Sequence, residues 1–180
     1  TKSYMRRLEL LGKPVVAAIN GTALGGGLEL CLAMHHRVAI NDPKTQLGLP
    51  EVTLGLLPGA GGVVRSIRML GLEKGLPFPL QGLRINPEKA LAAGLIDELA
   101  EDRDDMMAKA KAWIKANPEA SQPWDQKGYK IPGGDAKHPK VGQILSMAPA
   151  MLKKQTRGLM PAPEAILAIA AESLRVDFDT

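Results

Sequence analysis

Two glutamates and a run of glycines are the residues of this chain whose types and spacing could do chemistry. The glycines occupy positions 25–27 after a short apolar segment, and Glu29 comes two residues after the last of them. Glycines at the start of a helix leave backbone N–H groups open to a ligand, because no Cβ blocks the approach. Glu51 lies 22 residues further on, directly after Pro50, which restricts the residue before it to an extended conformation. Two carboxylates beside an amide donor are typical of an acid and base pair next to an oxyanion site.

The same glycines do not form a phosphate-binding loop. A dinucleotide fingerprint requires the pattern G-x-G-x-x-G, and the third glycine is missing here because Leu28, Glu29 and Leu30 follow the cluster. The pattern GxxxxGK[ST] does not occur anywhere in the sequence. A carboxylate in the first helical turn would also repel a pyrophosphate. The alternative that stays open is a close-packed turn in which Glu29 only complements the helix dipole.

Other candidate residues favour structural roles. The second glycine-rich segment, residues 58–62, fails the dinucleotide pattern. Adjacent His35 and His36 point in different directions on a helix, and no further ligand stands at metal-binding spacing. Cys31 lies in an apolar segment without a histidine pattern, which indicates a buried, unreactive thiol. The sequence therefore predicts no metal site.

Apolar periodicity and turn residues predict the elements that must position these groups. Residues 15–19 favour a fully buried strand, 28–34 a short helix, and 37–40 and 45–49 two further strands. A helix over 63–70 is expected to end at Gly71, and the prolines in residues 76–79 predict a short or bent helix after it. The other predicted elements are helices at 4–11, 86–93, 102–116, 141–157 and 163–176 and a brief strand at 95–96. This alternation of strands and helices predicts an α/β fold.

The composition argues against a nucleic-acid-binding, a disulfide-linked and a membrane-spanning protein. The 180 residues carry a net charge of +4 and only 3% aromatic residues, without the interleaved basic and aromatic side chains of a nucleic-acid surface. A single cysteine excludes an internal disulfide and indicates a reducing compartment. No apolar run has the length of a membrane span. Residues 117–140 are rich in Pro, Gly and polar side chains, which predicts a core at 1–116 and an extension at 117–180.

Three motifs in order resemble the crotonase (enoyl-CoA hydratase/isomerase) superfamily. They read KPVVAAINGTALGGGLEL, then LGLPEVTLGLLPGAGG, then GLRINPEKALAAGLIDEL, and the resemblance covers about residues 4–100. It implies the C-terminal part of a crotonase-like ββα superhelix, with residues 117–180 as a helical C-terminal extension.

The resemblance also implies a role for each candidate residue. Gly26, in the turn with Gly25, matches an amide donor to the thioester oxygen, and Glu29 matches the glutamate that activates water. Glu51 matches the glutamate that passes a proton to the α-carbon. Pro58 and Gly59 match a loop beside the substrate, where packing is an equal alternative. The implied reaction is hydration of 2-enoyl-CoA to 3-hydroxyacyl-CoA, with an acyl-CoA substrate and no cofactor; 3,2-enoyl-CoA isomerisation and a non-catalytic folding or assembly module are the alternatives.

The spacing of Glu29 and Glu51 and the segment RVAINDPKTQLGLPE are most similar to multifunctional fatty-acid oxidation α-chains, and the segments QPWDQKGYKIPGGDA and PAPEAILAIAAESLRVDFDT resemble their linker. In these, the hydratase domain precedes a 3-hydroxyacyl-CoA dehydrogenase, to which NAD would belong, and residues 117–180 correspond to the linker. The resemblance further implies a homo-oligomer or a complex with a thiolase subunit, in the bacterial cytoplasm or the mitochondrial matrix. In the family a second oxyanion donor comes from residues that precede this segment, so the chain alone is expected to be inactive or very weak.

Overall fold

A computed structural model describes residues 2–180 as an α/β arrangement of two small sheets covered by helices. The strands are β1 Val16–Ile19, β2 Ala23–Leu24, β3 His36–Ile40, β4 Leu47–Gly48, β5 Arg84–Ile85 and β6 Glu98–Ala100. The helices are α1 Lys2–Glu9, α2 Gly26–Leu32, α3 Gly62–Gly75, α4 Pro77–Gln81, α5 Pro87–Ala93, α6 Arg103–Ala116, α7 Pro139–Thr156 and α8 Pro161–Ser173. Residues Pro50–Leu54 and Pro123–Asp125 form single 3-10 turns.

The first sheet is parallel, in the order β1-β3-β6. Its central strand is covered on both sides: Val38 packs with Met106 and Ala110 of α6, whereas Ala39 belongs to the cluster around Leu28 and Leu32 of α2. Alternate side chains of a strand point to opposite faces, so a strand buried on both faces must be apolar at every position. The apolar segment Val38 to Ile40 meets that requirement.

The second sheet sets the geometry of the candidate site. Strand β2 pairs in parallel with β4, with Leu24 opposite Gly48, and β5 adds to β4 in the antiparallel direction. Only glycine fits at position 48, because a Cβ there would overlap the carbonyl oxygen of Leu83. Parallel strands end at the same edge of a sheet, so the residues that follow β2 and β4 become neighbours.

Three strand predictions need correction. Residues 95–96 are not a strand: Gly94 turns the chain with φ 83°, Leu95 N–H donates to Ala90 O at the end of α5, and the strand starts only at β6. The strand expected at 45–49 is the two-residue β4, because its partner β2 is equally short. Strand β1 is not fully buried: Ile19 is buried, whereas Val16 and Ala17 are half-buried and Ala18 is exposed.

The helix predictions are confirmed, with bounds that differ by a few residues. Asn86 caps α5 by accepting from Lys89 N–H, and Pro87 takes the first helical position, where no hydrogen bond is lost. Helix α3 is interrupted at Gly71, whose φ of 78° and ψ of 170° are not helical. Helix α4 begins with Pro77 and spans only five residues, which confirms the short helix expected from the prolines; the non-helical residue before it is Gly71, since Leu76 has a helical φ of −61° and ψ of −37°.

The C-terminal helices α7 and α8 pack on α3 through one apolar cluster. Ile166 and Ala170 of α8 are fully buried there together with Ile67 of α3, and Ile169 is half-buried. The apolar side chains Ile166, Ile169, Ala170 and Leu174 in and directly after α8 are therefore part of the core. No helix within residues 2–180 is both long enough and apolar enough to cross a membrane.

Candidate active site

The two candidate carboxylates lie near each other, where β2 and β4 end. Gly25 follows β2 with φ 55° and ψ −130°, a conformation that favours glycine, and its N–H donates to Gly48 O at 3.0 Å. A Cβ at Gly25 would lie 3.2 Å from Oε1 of Glu51. The turn at Gly25 therefore directs the chain into α2 and leaves room for the Glu51 carboxylate beside it.

Backbone amides of the second glycine-rich segment anchor Glu29. Its side chain is buried, and Oε1 accepts hydrogen bonds from Ala60 N–H at 2.8 Å and Gly62 N–H at 2.7 Å. A Cβ at Gly62 would lie only 2.9 Å from Cγ of Glu29, so glycine is required for this approach. Both hydrogen bonds are accepted by Oε1, so they orient the carboxylate, and Oε2 takes part in neither of them.

Glu51 has a different environment. It is half-buried, and among residues 2–180 its Oε2 atom has no hydrogen-bond partner although it is shielded from solvent. Burial raises the pKa of Glu51 above its ordinary value of 4.5; the neighbouring charge of Glu29 adds to the increase, and the backbone N–H of Glu51 opposes it. Two adjacent carboxyl groups with different surroundings are suited to opposite roles in proton transfer.

The raised pKa of Glu51 leads to a prediction about stability and pH. As the pH rises, this carboxyl group ionises in the unfolded chain before it ionises in the folded protein. The wild-type protein therefore loses stability between the unfolded-state pKa and the higher folded-state pKa. Glu51→Gln removes that loss. We expect the free energy of unfolding of Glu51→Gln, relative to wild type, to increase between pH 4 and pH 7, measured by urea denaturation of both proteins. A constant difference would contradict the raised pKa.

The backbone near Gly26 is open. Gly26 is the first residue of α2 and is exposed; its N–H has no acceptor within the described chain, and a Cβ there would meet no atom within 4 Å. Gly59 is also exposed with free space at its Cβ, whereas Pro58 is buried. The amide of Gly25 is already used in the pairing of β2 with β4. Gly26 therefore presents an available donor in this turn, and the N–H of exposed Gly27 also has no acceptor among residues 2–180.

Sequence reasoning missed the residues behind the anchoring turn. Glu9 of α1 and Arg65 of α3 form an ion pair, Nε to Oε1 2.7 Å, with side chains 0% and 3% exposed. The available signal was an arginine in the apolar segment from Val63 to Ile67. The sequence also did not indicate that Ala60 and Gly62 bind Glu29, because that contact depends on how α3 docks.

The remaining candidates have structural environments. Among residues 2–180, no group of three or more His, Cys, Asp or Glu side chains is close enough to hold a metal ion. His35 is buried between two backbone partners, and His36 stacks on Trp113 with ring centroids 4.6 Å apart. Cys31 is half-buried rather than buried, and burial raises the pKa of its thiol.

Solved structures with a similar architecture include an enoyl-CoA hydratase. The chain aligns with the crystal structure of enoyl-CoA hydratase from Bacillus anthracis with a TM-score of 0.59 and 37% identity, over 64% of this chain and 43% of that one. It aligns with DspI of Pseudomonas aeruginosa with a TM-score of 0.61 and 26% identity, over 86% of this chain and 62% of that one.

The chain is also similar in sequence to subunits of bacterial fatty acid oxidation complexes. The chain is 41% identical over 162 residues to the fatty acid oxidation complex subunit alpha of Shewanella loihica, which covers 89% of this chain and 22% of the relative. It is 38% identical over 170 residues to the subunit of the same name from Idiomarina loihiensis, over 93% and 23% of the two chains. The chain thus spans about a fifth of the length of these curated relatives. A family model for enoyl-CoA hydratase/isomerase matches residues 1–123. The chain belongs to the enoyl-CoA hydratase/isomerase family.

Proposed function

We propose that the natural protein containing this chain hydrates 2-enoyl-CoA thioesters to 3-hydroxyacyl-CoA. The observation that carries the proposal is that Glu29 and Glu51 lie near each other, close to the open N–H of Gly26. Addition of water to a conjugated thioester needs a base for the water, an acid for the α-carbon and a donor for the thioester oxygen. Glu29, Glu51 and the N–H of Gly26 are the groups proposed for these three roles.

Each carboxyl group takes one proton-transfer step. Glu29 accepts a proton from water as the water oxygen bonds to the β-carbon, and the carbonyl oxygen gains negative charge. The α-carbon then takes a proton from Glu51, whose raised pKa favours the protonated form. One carboxyl group gains the proton that the other loses, and exchange with solvent restores both.

Gly26 supplies one donor to the thioester oxygen in this proposal. Gly25 contributes its turn conformation and Glu29 its anchored carboxylate, while Pro58 and Gly59 lie in the loop that leads to the anchoring amides. The family resemblance implies that a second amide donor completes the oxyanion site. The substrate is an acyl-CoA thioester, and the chemistry proposed for hydration uses only protein groups and water.

The direct test supplies thioesters to the natural protein. A 2-enoyl-CoA should lose its conjugated absorbance as 3-hydroxyacyl-CoA forms. Conversion of a 3-enoyl-CoA to the 2-enoyl isomer without hydration would instead indicate an isomerase. An absence of turnover together with an absence of saturable acyl-CoA binding would indicate a non-catalytic folding or assembly module.

A substitution at Gly26 tests the amide donor. Gly26→Pro removes the N–H, and proline is well tolerated at the first position of a helix. We expect kcat to fall about 10²–10³-fold, the usual effect of losing one oxyanion donor. Gly26→Ala retains the N–H and should lose less activity, since its Cβ meets no atom of this chain within 4 Å. Equal losses in both variants would show that the amide does not matter.

The names of the relatives support a wider proposal. We infer that the natural protein acts in fatty-acid oxidation as an α-chain, with residues 1–116 in its hydratase domain and 117–180 linking to a 3-hydroxyacyl-CoA dehydrogenase domain that uses NAD. Assembly as a homo-oligomer or with a thiolase subunit follows from the same proposal. The relatives named above are bacterial, which favours a cytoplasmic location over the mitochondrial matrix.

A further inference from the structure

A buried ion pair lies directly behind the turn that anchors Glu29. Arg65 donates from Nε to Oε1 of Glu9 at 2.7 Å, and neither side chain is more than 3% exposed. The ring of Phe178, in the C-terminal tail, covers this pair, with its centroid 5.4 Å from the Arg65 guanidinium carbon. Burying two charges is costly, so a buried ion pair is weak evidence of net stabilisation by itself.

Arg65 also contacts the anchoring turn itself. Its Nη1 donates to Ala60 O at 3.0 Å, and a Cβ at Gly61 would overlap that same nitrogen. Gly61 has φ 102°, which lets the backbone pass over the guanidinium without a side chain. Ala60 is therefore held from both sides, because its N–H binds Glu29 at 2.8 Å while its carbonyl binds Arg65.

Glu9 is in turn held by α1 and by His35. Arg6 donates to its second oxygen at 3.2 Å. Val15 N–H donates to Nδ1 of His35 at 3.0 Å, so the ring proton is on Nε2, which donates to the carbonyl of Glu9 at 3.0 Å. A continuous set of hydrogen bonds therefore connects α1 with the turn that orients Glu29.

We propose that Glu9 and Arg65 are positioning residues that hold the turn at 60–62 so that its two amides orient the Glu29 carboxylate. The inference rests on the role proposed above for Glu29. Arginine is required because its planar guanidinium group donates to Glu9 from one nitrogen and to Ala60 O from another. The single ammonium group of lysine retains the charge but cannot make both hydrogen bonds in this geometry.

The first test is Arg65→Lys in the natural protein. We expect kcat for hydration to fall about 10²-fold, the loss typical of a misplaced catalytic group, with a nearly unchanged KM. The matched control is Arg68→Lys on the same helix, because Arg68 is also buried but its Nη2 donates to Val176 O instead of the turn. Equal losses of kcat in the two variants would overturn the proposal.

A double-mutant cycle separates positioning from general stability. If Arg65 acts through Glu29, Arg65→Lys should cost little further activity once Glu29 is replaced by Gln. The same 10²-fold loss in both backgrounds would contradict the proposal. Glu9→Asp retains the charge but has a shorter side chain. We expect its kcat to lie between that of the wild type and that of Arg65→Lys.

A measurement that does not require activity distinguishes the positioning role of Arg65 from the proposed hydratase function. Deuterium exchange in the peptide that covers residues 58–64 reports the hydrogen bonds from Ala60 and Gly62 to Glu29. Exchange there should be at least about 10-fold faster in Arg65→Lys and unchanged in Arg68→Lys, since exchange follows local opening. Unchanged exchange in Arg65→Lys overturns the positioning inference. A wild-type protein without hydratase activity overturns the proposed function, and the exchange result still decides whether Arg65 holds the turn.

Discussion

Replacing Glu29 by Gln is expected to lower kcat for 2-enoyl-CoA hydration by about 10²–10⁴-fold, the usual contribution of a positioned proton-transfer group. Glutamine has nearly the same shape, and its carbonyl oxygen can accept the same two bonds from Ala60 and Gly62. The side chain therefore stays in place and the fold is retained, but an amide cannot take a proton from water. KM should change little.

The control for this prediction is Glu119→Gln, which makes the same chemical change at an exposed position. Its kcat and melting temperature should match those of the wild type. A near-normal kcat in Glu29→Gln would exclude Glu29 as the base. Loss of the folded state in Glu29→Gln, detected by circular dichroism, would instead assign the residue a structural role.

Replacing Glu9 by Gln is expected to lower the free energy of unfolding by about 3–5 kcal/mol, because it leaves the guanidinium of Arg65 buried without its counter-charge. This is a large share of the 5–15 kcal/mol by which a typical domain is stable, so the variant should be folded but fragile. The measurement is the urea dependence of deuterium exchange in peptides from α1 and α3.

Two comparisons establish that the uncompensated charge causes this loss. Glu9→Leu combined with Arg65→Met removes both charges and should destabilise the protein less than Glu9→Gln alone. Glu73→Gln breaks an ion pair with Lys140 whose side chains are 63% and 60% exposed, and it should cost no more than about 1 kcal/mol. Equal losses from Glu9→Gln and Glu73→Gln would contradict the importance of burial.

Local signals in the sequence predicted much of the fold. The predicted bounds 86–93 and 102–116 agree with α5 and α6, whose starts Asn86 and Asp102 cap, and the end expected at Gly71 is an interruption of α3. Each of these signals depends on a residue and its near neighbours, so the sequence alone is enough to identify it. The prediction failed at residues 95–96, where apolar side chains were interpreted as a strand although they fill the core from a turn.

The sequence by itself determined the family, the α/β class and the identity of Glu29, Gly26 and Glu51 as candidates, because motif spacing and turn chemistry are written within short segments. Only the tertiary structure decided that the amides of Ala60 and Gly62 anchor Glu29, 31 and 33 residues away. It also decided that Glu9 pairs with Arg65 across 56 residues. The physical reason is that such contacts depend on how α1, α2 and α3 pack together, and packing joins residues for which the local sequence carries no common signal.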